Sequence, residues 1–310
     1  MLRIFVLIFF INTLSVNAQT DCDCYERLEN LAELRFHEEN YSEALKTYKR
    51  ALSFLPDSAR NYQHDFKLAL FHLENSFLDS ASHFLINAIE GGFQKSYLTY
   101  DSRFDTLQKT IYGQEITNAY RKTDLNFNWN LYNEIQRIGA LDQSLRSKNG
   151  IGSLATDSLS QVKLYSTIDS IVFEKVIQLI NVYGYPTQIA DGFKENYFLY
   201  FLHSSMYSEE KFELILKHLT KQNELCLCSK GNIALLNDRR LDWYYSEKQI
   251  AGTWNYPGEF LPIQNTAEVD SIRFKYNLLN LYDYGQIAGK LVPNDYRIIP
   301  YPKNYFCEDR

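Results

Sequence analysis

Long apolar runs are nearly absent from this 310-residue chain, and glycine and proline are few, at 13 and 7. The apolar run from Ile4 to Ile11 is broken by Asn12 and Thr13, well short of the ~20 residues that a membrane-crossing helix requires. No later stretch approaches that length, so no transmembrane segment is expected in the mature chain. Clusters of Lys and Arg are also missing. The 32 basic residues are outnumbered by 38 acidic ones, for a formal charge of −6. Without a basic patch to neutralise phosphates, this balance argues against nucleic acid as a partner. Phosphate loops, nucleophile elbows, His-Glu-x-x-His helices and dinucleotide glycine motifs do not occur. Their absence leaves only sites assembled from residues distant in sequence, and no cofactor is expected.

What is present begins with an export pattern. Met1-Leu-Arg3, the apolar run and Val16-Asn17-Ala18 place a charged start, an apolar centre and small or apolar residues where a signal peptidase reads them. A signal peptide over residues 1–18 is therefore expected, with cleavage after Ala18 and a periplasmic or secreted product. Cys22 follows Gln19-Thr20-Asp21 rather than an apolar-small box, which disfavours a lipoprotein. Cleavage removes Arg3 and so moves the formal charge from −6 to −7.

The five cysteines are Cys22, Cys24, Cys226, Cys228 and Cys307. An odd count leaves at least one unpaired, and zinc sites more often place two or more residues between paired ligands. Free or locally bridged cysteine is the simpler expectation, and no metal site is built on these residues.

The strongest internal signal is a repeat. Ala32, Tyr41, Ala44, Tyr48, Ala51 and Pro56 occupy the small, aromatic and proline positions of a tetratricopeptide helix-turn-helix, and Ala69, Ala81 and Ala88 repeat the three alanines in register. Small residues are needed where two helices approach closely. Gly91-Gly92 ends the second unit, and Asp101, Phe104 and Leu107 predict a further helix that caps the array. The expected fold is all-α: a short tetratricopeptide-like helical array over 19–125, an irregular helical bundle over 126–292 and an irregular tail over 293–310.

In the bundle, Leu131, Ile135, Ile138, Leu141 and Leu145 recur every three or four residues, which predicts a helix over 129–147. A loop is expected from Asn149 to Ser160. A helix over Ile168 to Tyr183 is closed by Gly184-Tyr185-Pro186. Further helices are expected near 195–204, 208–221, 231–247 and 267–286, with irregular chain over Gly252 to Asn265.

Asp142 and Arg146 stand four apart on one helix face, where a plain ion pair is the simplest reading. The sharper one brings Asp142, Gln143 and Arg146 together with His203, Asp238 and Arg239, so that a carboxylate orients an imidazole for acid–base work. His203 ends an apolar helix, where a hydrogen-bonded core histidine is the plainer role. Asp270 and Arg273, at i and i+3, would form a salt bridge or contribute to binding. Trp243, Tyr244, Tyr245 and Trp254 would serve core and strap packing, or else line a sugar or peptide groove.

The C-terminal region resembles an uncharacterised bacterial family, domain of unknown function 6624. The resemblance spans roughly residues 135 to 290 and rests on Asp142-Gln143-Ser-Leu-Arg146, Asp169, Tyr183-Gly184-Tyr-Pro186, Leu202-His203, Ala234-Leu-Leu-Asn-Asp238-Arg239, Gly252-Thr253 and Pro262-Ile263 with Val269-Asp270-x-x-Arg273. It implies a helical domain and no established activity. This chain departs from the family pattern at Val172, Ser204 and Trp254.

Two functions are expected to compete. One is capture of a protein or peptide by the helical repeats. The other is an envelope-associated hydrolase with a His/Asp/Arg site in the C-terminal domain. The export pattern makes a direct prediction: in a secreting bacterial host the mature protein should start at Gln19 by N-terminal sequencing. Recovery of chains that all begin at Met1 would contradict it.

Overall fold

A computed structural model describes residues 21–93, 102–126, 128–146, 158–184, 194–206, 208–245, 247–253, 255–256 and 259–307. The expected signal peptide and its cleavage site, most of the loop from Asn149, Tyr185-Pro186 and Trp254 lie outside the described residues, as do the side chains of Trp243 and Tyr244.

The fold is all-α. In chain order the helices are α1 (21–37), α2 (Tyr41–Ser53), α3 (Tyr62–Glu74), α4 (Leu78–Glu90), α5 (Asp105–Gln108), α6 (Tyr112–Asn126), α7 (Trp129–Arg146), α8 (Ser158–Tyr183), α9 (Lys194–Ser205), α10 (Glu209–Glu224), α11 (Lys230–Tyr244), α12 (Val269–Lys275) and α13 (Leu281–Ala288). Among the described residues, strand pairing is confined to a two-residue antiparallel hairpin, with Asn255 opposite Phe260 and Tyr256 opposite Glu259, and one isolated bridge between Gln249 and Ile263. The chain divides into two compact units. One joins Met1–Ala59 to Glu213–Arg310, and the other is Arg60–Phe212.

In the first unit α1 buries Cys22, Tyr25, Leu28 and Ala32, residues three or four apart that form one stripe. The Cys-x-Cys expectation is corrected here. Residues i and i+2 on a helix point away from each other, so Cys22 and Cys24 take different partners. Cys22 bridges to Cys226 and Cys24 to Cys307, with Cα atoms 5.3 and 5.8 Å apart, while the buried Cys228 forms no disulfide. Between the bridges lies a polar knot. Glu26 accepts hydrogen bonds from Asn223 Nδ2 at 3.0 Å, the Lys230 backbone N–H at 3.1 Å and Asn277 Nδ2 at 2.9 Å. Lys230 pairs with Asp23 at 2.7 Å.

The expected helix over 267–286 is two helices in this unit. Asn277 adopts a left-handed φ of 57°, which ends α12, and Asn280 then caps α13 by accepting from the Asp283 N–H at 2.8 Å. The expected helix-surface salt bridge between Asp270 and Arg273 is also corrected. Both are buried, and they form no direct ion pair among the described residues. Asp270 accepts from Leu281 N–H, Tyr296 O–H and Ile299 N–H. Arg273 donates to the carbonyls of Ala251, Gly252 and Leu279.

In the second unit the Asn61 side chain accepts from Gln63 N–H and His64 Nδ1 accepts from Asn61 N–H, which fixes the start of α3. Ala69, Ala81, Leu85, Ala88 and Ile89 form a core that Phe104, Leu107, Ile116 and Ala119 share. Helix α8 begins ten residues before the expected Ile168, so residues 158–160 are helix and not loop. Its first turns are polar or exposed, as at Leu159 and Val162. They extend a helix nucleated by the buried part, because adding a turn costs far less than starting one. Gly184, at φ 90°, closes α8 by donating to Ile180 O at 2.9 Å.

The turns of the first two hairpins match bond for bond at a spacing of 37 residues. Glu39 and Ser76 adopt φ values of 60° and 62°. Glu38→Leu34, Glu39→Phe36 and Asn40→Arg35 recur as Asn75→Phe71, Ser76→Leu73 and Phe77→His72.

Burial pushes the Glu26 carboxyl from 4.5 up to about 8, against the opposing hydrogen bonds from Asn277 and Lys230. The folded chain therefore keeps a proton that the unfolded chain releases near 4.5. The stability linked to this group is fully present below that value and is lost as pH rises through about 8. Thermal unfolding followed by circular dichroism should show stability declining between about pH 4.5 and 8 and levelling off above that, by an amount on the order of a few kcal/mol. Glu26→Gln should remove most of that decline. An identical pH slope in wild type and variant would contradict the assignment.

Candidate functional site

The site is built by α7, α8 and α9 of the second unit. On α7, Leu131, Ile135 and Ile138 are buried, and the same stripe continues through Asp142 at full burial. A charged residue in an apolar stripe must find partners, and Asp142 has three. Oδ1 accepts from Arg146 Nη1 at 2.9 Å and faces His203 Nδ1 at 2.8 Å. Oδ2 accepts from Gln143 Nε2 at 2.8 Å.

Arg146 also spans to α8. Its Nη2 donates to both oxygens of Asp169, at 2.8 and 2.9 Å, and Nη1 reaches the Asp142 carbonyl at 3.0 Å. This fork-on-carboxylate geometry suits a planar guanidinium. Its plane lies beside the Tyr165 ring, 5.8 Å from the centroid. Asp169 heads a buried stripe with Val172, Val176 and Ile180. Burial raises its carboxyl above the usual range, and the hydrogen bonds and charge of Arg146 oppose that rise. Ser204 on α9 donates to the Asp169 carbonyl at 2.9 Å.

The network constrains the His203 ring through its 2.8 Å contact with Asp142. Asp142 is ringed by donors, so the imidazole presents Nδ1–H to it and leaves Nε2 with a lone pair. Nε2 makes no hydrogen bond among the described residues, and His203 retains 8% exposure. A carboxylate in this position can orient an imidazole and fix which ring nitrogen carries the proton.

Tyr200, one turn before His203, is also buried. Its hydroxyl has no hydrogen-bond partner among the described residues and sits where a Cβ on Gly139 would come within 2.9 Å. Burial, and next the charge of Asp142, push this phenol up to about 12.

Of the sequence candidates, Asp142, Gln143, Arg146 and His203 are brought together. Asp238 and Arg239 belong to the other unit. There Asp238 is buried and accepts from Ile250 N–H, Ala251 N–H, Thr253 N–H and Thr253 O–H at 2.7–3.0 Å, so its carboxylate holds the 250–253 loop. Arg239 is buried in that unit. Asp169 and Tyr200 were not among the candidates. The signal for Asp169 was a lone acid heading an apolar helical stripe. Tyr200 had none, because tyrosine is common in this chain, with 24 copies. Among the described residues no group of three His, Cys, Asp or Glu is placed to hold a metal ion.

Comparison with family models, curated proteins and solved structures finds no match. The resemblance noted above therefore rests on the quoted residues alone.

Removing Arg146 would leave two buried carboxylates facing each other without their cation. Arg146→Met is expected to destabilise the protein by about 3–5 kcal/mol, the range for breaking a buried ion pair from one side. Urea unfolding measures this, and a loss below about 1 kcal/mol would show that the charges are not coupled as described.

Proposed function

We propose that the chain is an exported helical protein whose chemical centre is the Asp142–His203 pair, acting as the general base of a hydrolase. The observation that carries the reading is the 2.8 Å contact between His203 Nδ1 and Asp142 Oδ1 in a buried network. Nε2 would take a proton from a water molecule as the water oxygen bonds to an electrophilic carbonyl carbon. The imidazolium would return that proton to the departing group, and Asp142 would remain a carboxylate throughout. Arg146 holds the pair in place and does not bind substrate, because both its terminal nitrogens are already engaged with Asp142 and Asp169. Export is supported by the N-terminal pattern and by two disulfides that close long stretches of chain, a feature of oxidising compartments.

A second reading is favoured by the matched turns of the hairpins α1–α2 and α3–α4. Their bond-for-bond recurrence and the buried alanines Ala32, Ala44, Ala51, Ala69, Ala81 and Ala88 support a tetratricopeptide-like array that captures a peptide or protein. A surface groove of about 570 Å³ lined by Leu31, Arg35, Asn40, Ser42, Glu43 and Thr47 would then contribute to that contact.

The hydrolytic reading is tested by incubating the mature protein with chromogenic ester and amide substrates and with cell-envelope material. Turnover is expected that falls by about 100-fold or more in His203→Gln and in Asp142→Asn, with the circular-dichroism spectrum unchanged. Turnover retained by His203→Gln, or none by the wild type across the panel, would sink this reading and leave the array as the functional element.

A further inference from the structure

We propose that the first unit carries a binding groove for an acidic peptide, formed by Arg27 of α1, the end of α12 and the C-terminal tail. The groove has a volume of about 470 Å³, and among the described residues no Asp or Glu lines it. Phe274, Tyr305 and Pro302 supply an apolar wall, and Arg27, Lys275 and Lys303 supply three cations. The chain carries a net charge of −6, whereas the charged residues that line this recess among the described residues are all cations.

Arg27 is the informative residue. Its Nε donates to Asn277 Oδ1 at 2.7 Å, its Nη1 to the Tyr305 carbonyl at 3.4 Å, and its guanidinium lies over the Tyr305 ring, 4.7 Å from the centroid. Every one of these partners is neutral. Among the described residues Arg27 has no ion pair and its Nη2 has no hydrogen bond. The nearby carboxyl groups of Asp23 and Glu26 are held by the amide nitrogen of Asn277 instead. That carboxamide separates them from Arg27 by turning its oxygen to the guanidinium and its nitrogen to the acids.

A guanidinium fixed by neutral acceptors keeps its charge uncompensated and its planar donor fork pre-positioned, the arrangement that recognises a carboxylate. Lys275 and Lys303 are exposed and form no ion pair among the described residues. They would add long-range attraction and contact neighbouring acidic side chains. The proline and aromatic wall suits an extended backbone lying along it. An acidic peptide segment satisfies both the charge and the apolar wall, whereas a small inorganic anion would satisfy the charge alone. This groove is independent of the Asp142–His203 site, so either proposal stands if the other fails.

The test uses the mature full-length protein and a fluorescein-labelled decapeptide rich in Glu and Pro, beside the same peptide with Gln in place of every Glu. Fluorescence anisotropy should show saturable binding of the Glu peptide. Binding should be about tenfold or more weaker for the Gln peptide and for the Lys275→Gln/Lys303→Gln variant, and should weaken as salt is raised, as for exposed charge contacts. Both lysines are exposed, so the variant should keep the wild-type circular-dichroism spectrum and thermal midpoint. Equal binding of the two peptides, full affinity in the double variant, displacement by equimolar inorganic phosphate, or no saturation below about 1 mM peptide would each overturn the proposal.

Discussion

The guanidinium of Arg146 is shared between two buried carboxylates, Asp142 and Asp169, that stand on different helices. Neither acid would tolerate its position alone, since an unpaired charge in an apolar interior is strongly unfavourable. Two hydrogen bonds to Asp169, one to the Asp142 carboxylate and one to the Asp142 carbonyl make the cation a fixed spacer between α7 and α8. Asp142 then has one oxygen direction left for α9, which His203 occupies. The three helices therefore share a polar interior with a defined geometry, and the tautomer of His203 follows from it. The same economy explains why Arg146 is not available to a substrate.

The first unit uses buried polar groups differently. Asp238, Asp270 and Arg273 are each spent on backbone N–H or C=O groups of irregular chain. These segments have no helix or sheet to satisfy them, so the buried side chains take the place of a regular hydrogen-bond ladder. Stacked tyrosines reinforce the same region: Tyr301 packs against Tyr305 at 5.3 Å, and both contact Phe274. Arg27 stands apart from this pattern, because it is positioned by neutral groups while keeping a free donor.

Much of the helical layout was legible in the sequence. The three-and-four spacing from Leu131 located α7, observed as Trp129–Arg146, and the turn bonds after α1 recur after α3 at a spacing of 37 residues. Legibility failed where tertiary contacts override local pattern. Nothing in the apolar period of 267–286 announces that Asn277 turns left-handed, because Arg27 and Asn30, far away in sequence, hold its side chain and carbonyl. The disulfide partners were hidden for the same reason, although helix geometry alone rules out a bridge between Cys22 and Cys24. In the site, Asp142, Gln143, Arg146 and His203 were visible as charged or polar residues in apolar stripes. Asp169 obeyed the same rule, and Tyr200 became apparent only through its unpaired hydroxyl.

Asp142 is expected to hold His203 as the Nδ1–H tautomer, with Nε2 left to accept a proton. Two-bond ¹H–¹⁵N correlation spectra of histidine-labelled protein at about pH 8.5, where an ordinary imidazole is neutral, read the tautomer directly. His203 is expected to appear as a single Nδ1-protonated species with a downfield, slowly exchanging proton, and Asp142→Asn to abolish this signature. A His203 ring that is Nε2-protonated, or that averages both tautomers as a free side chain does, would contradict the account.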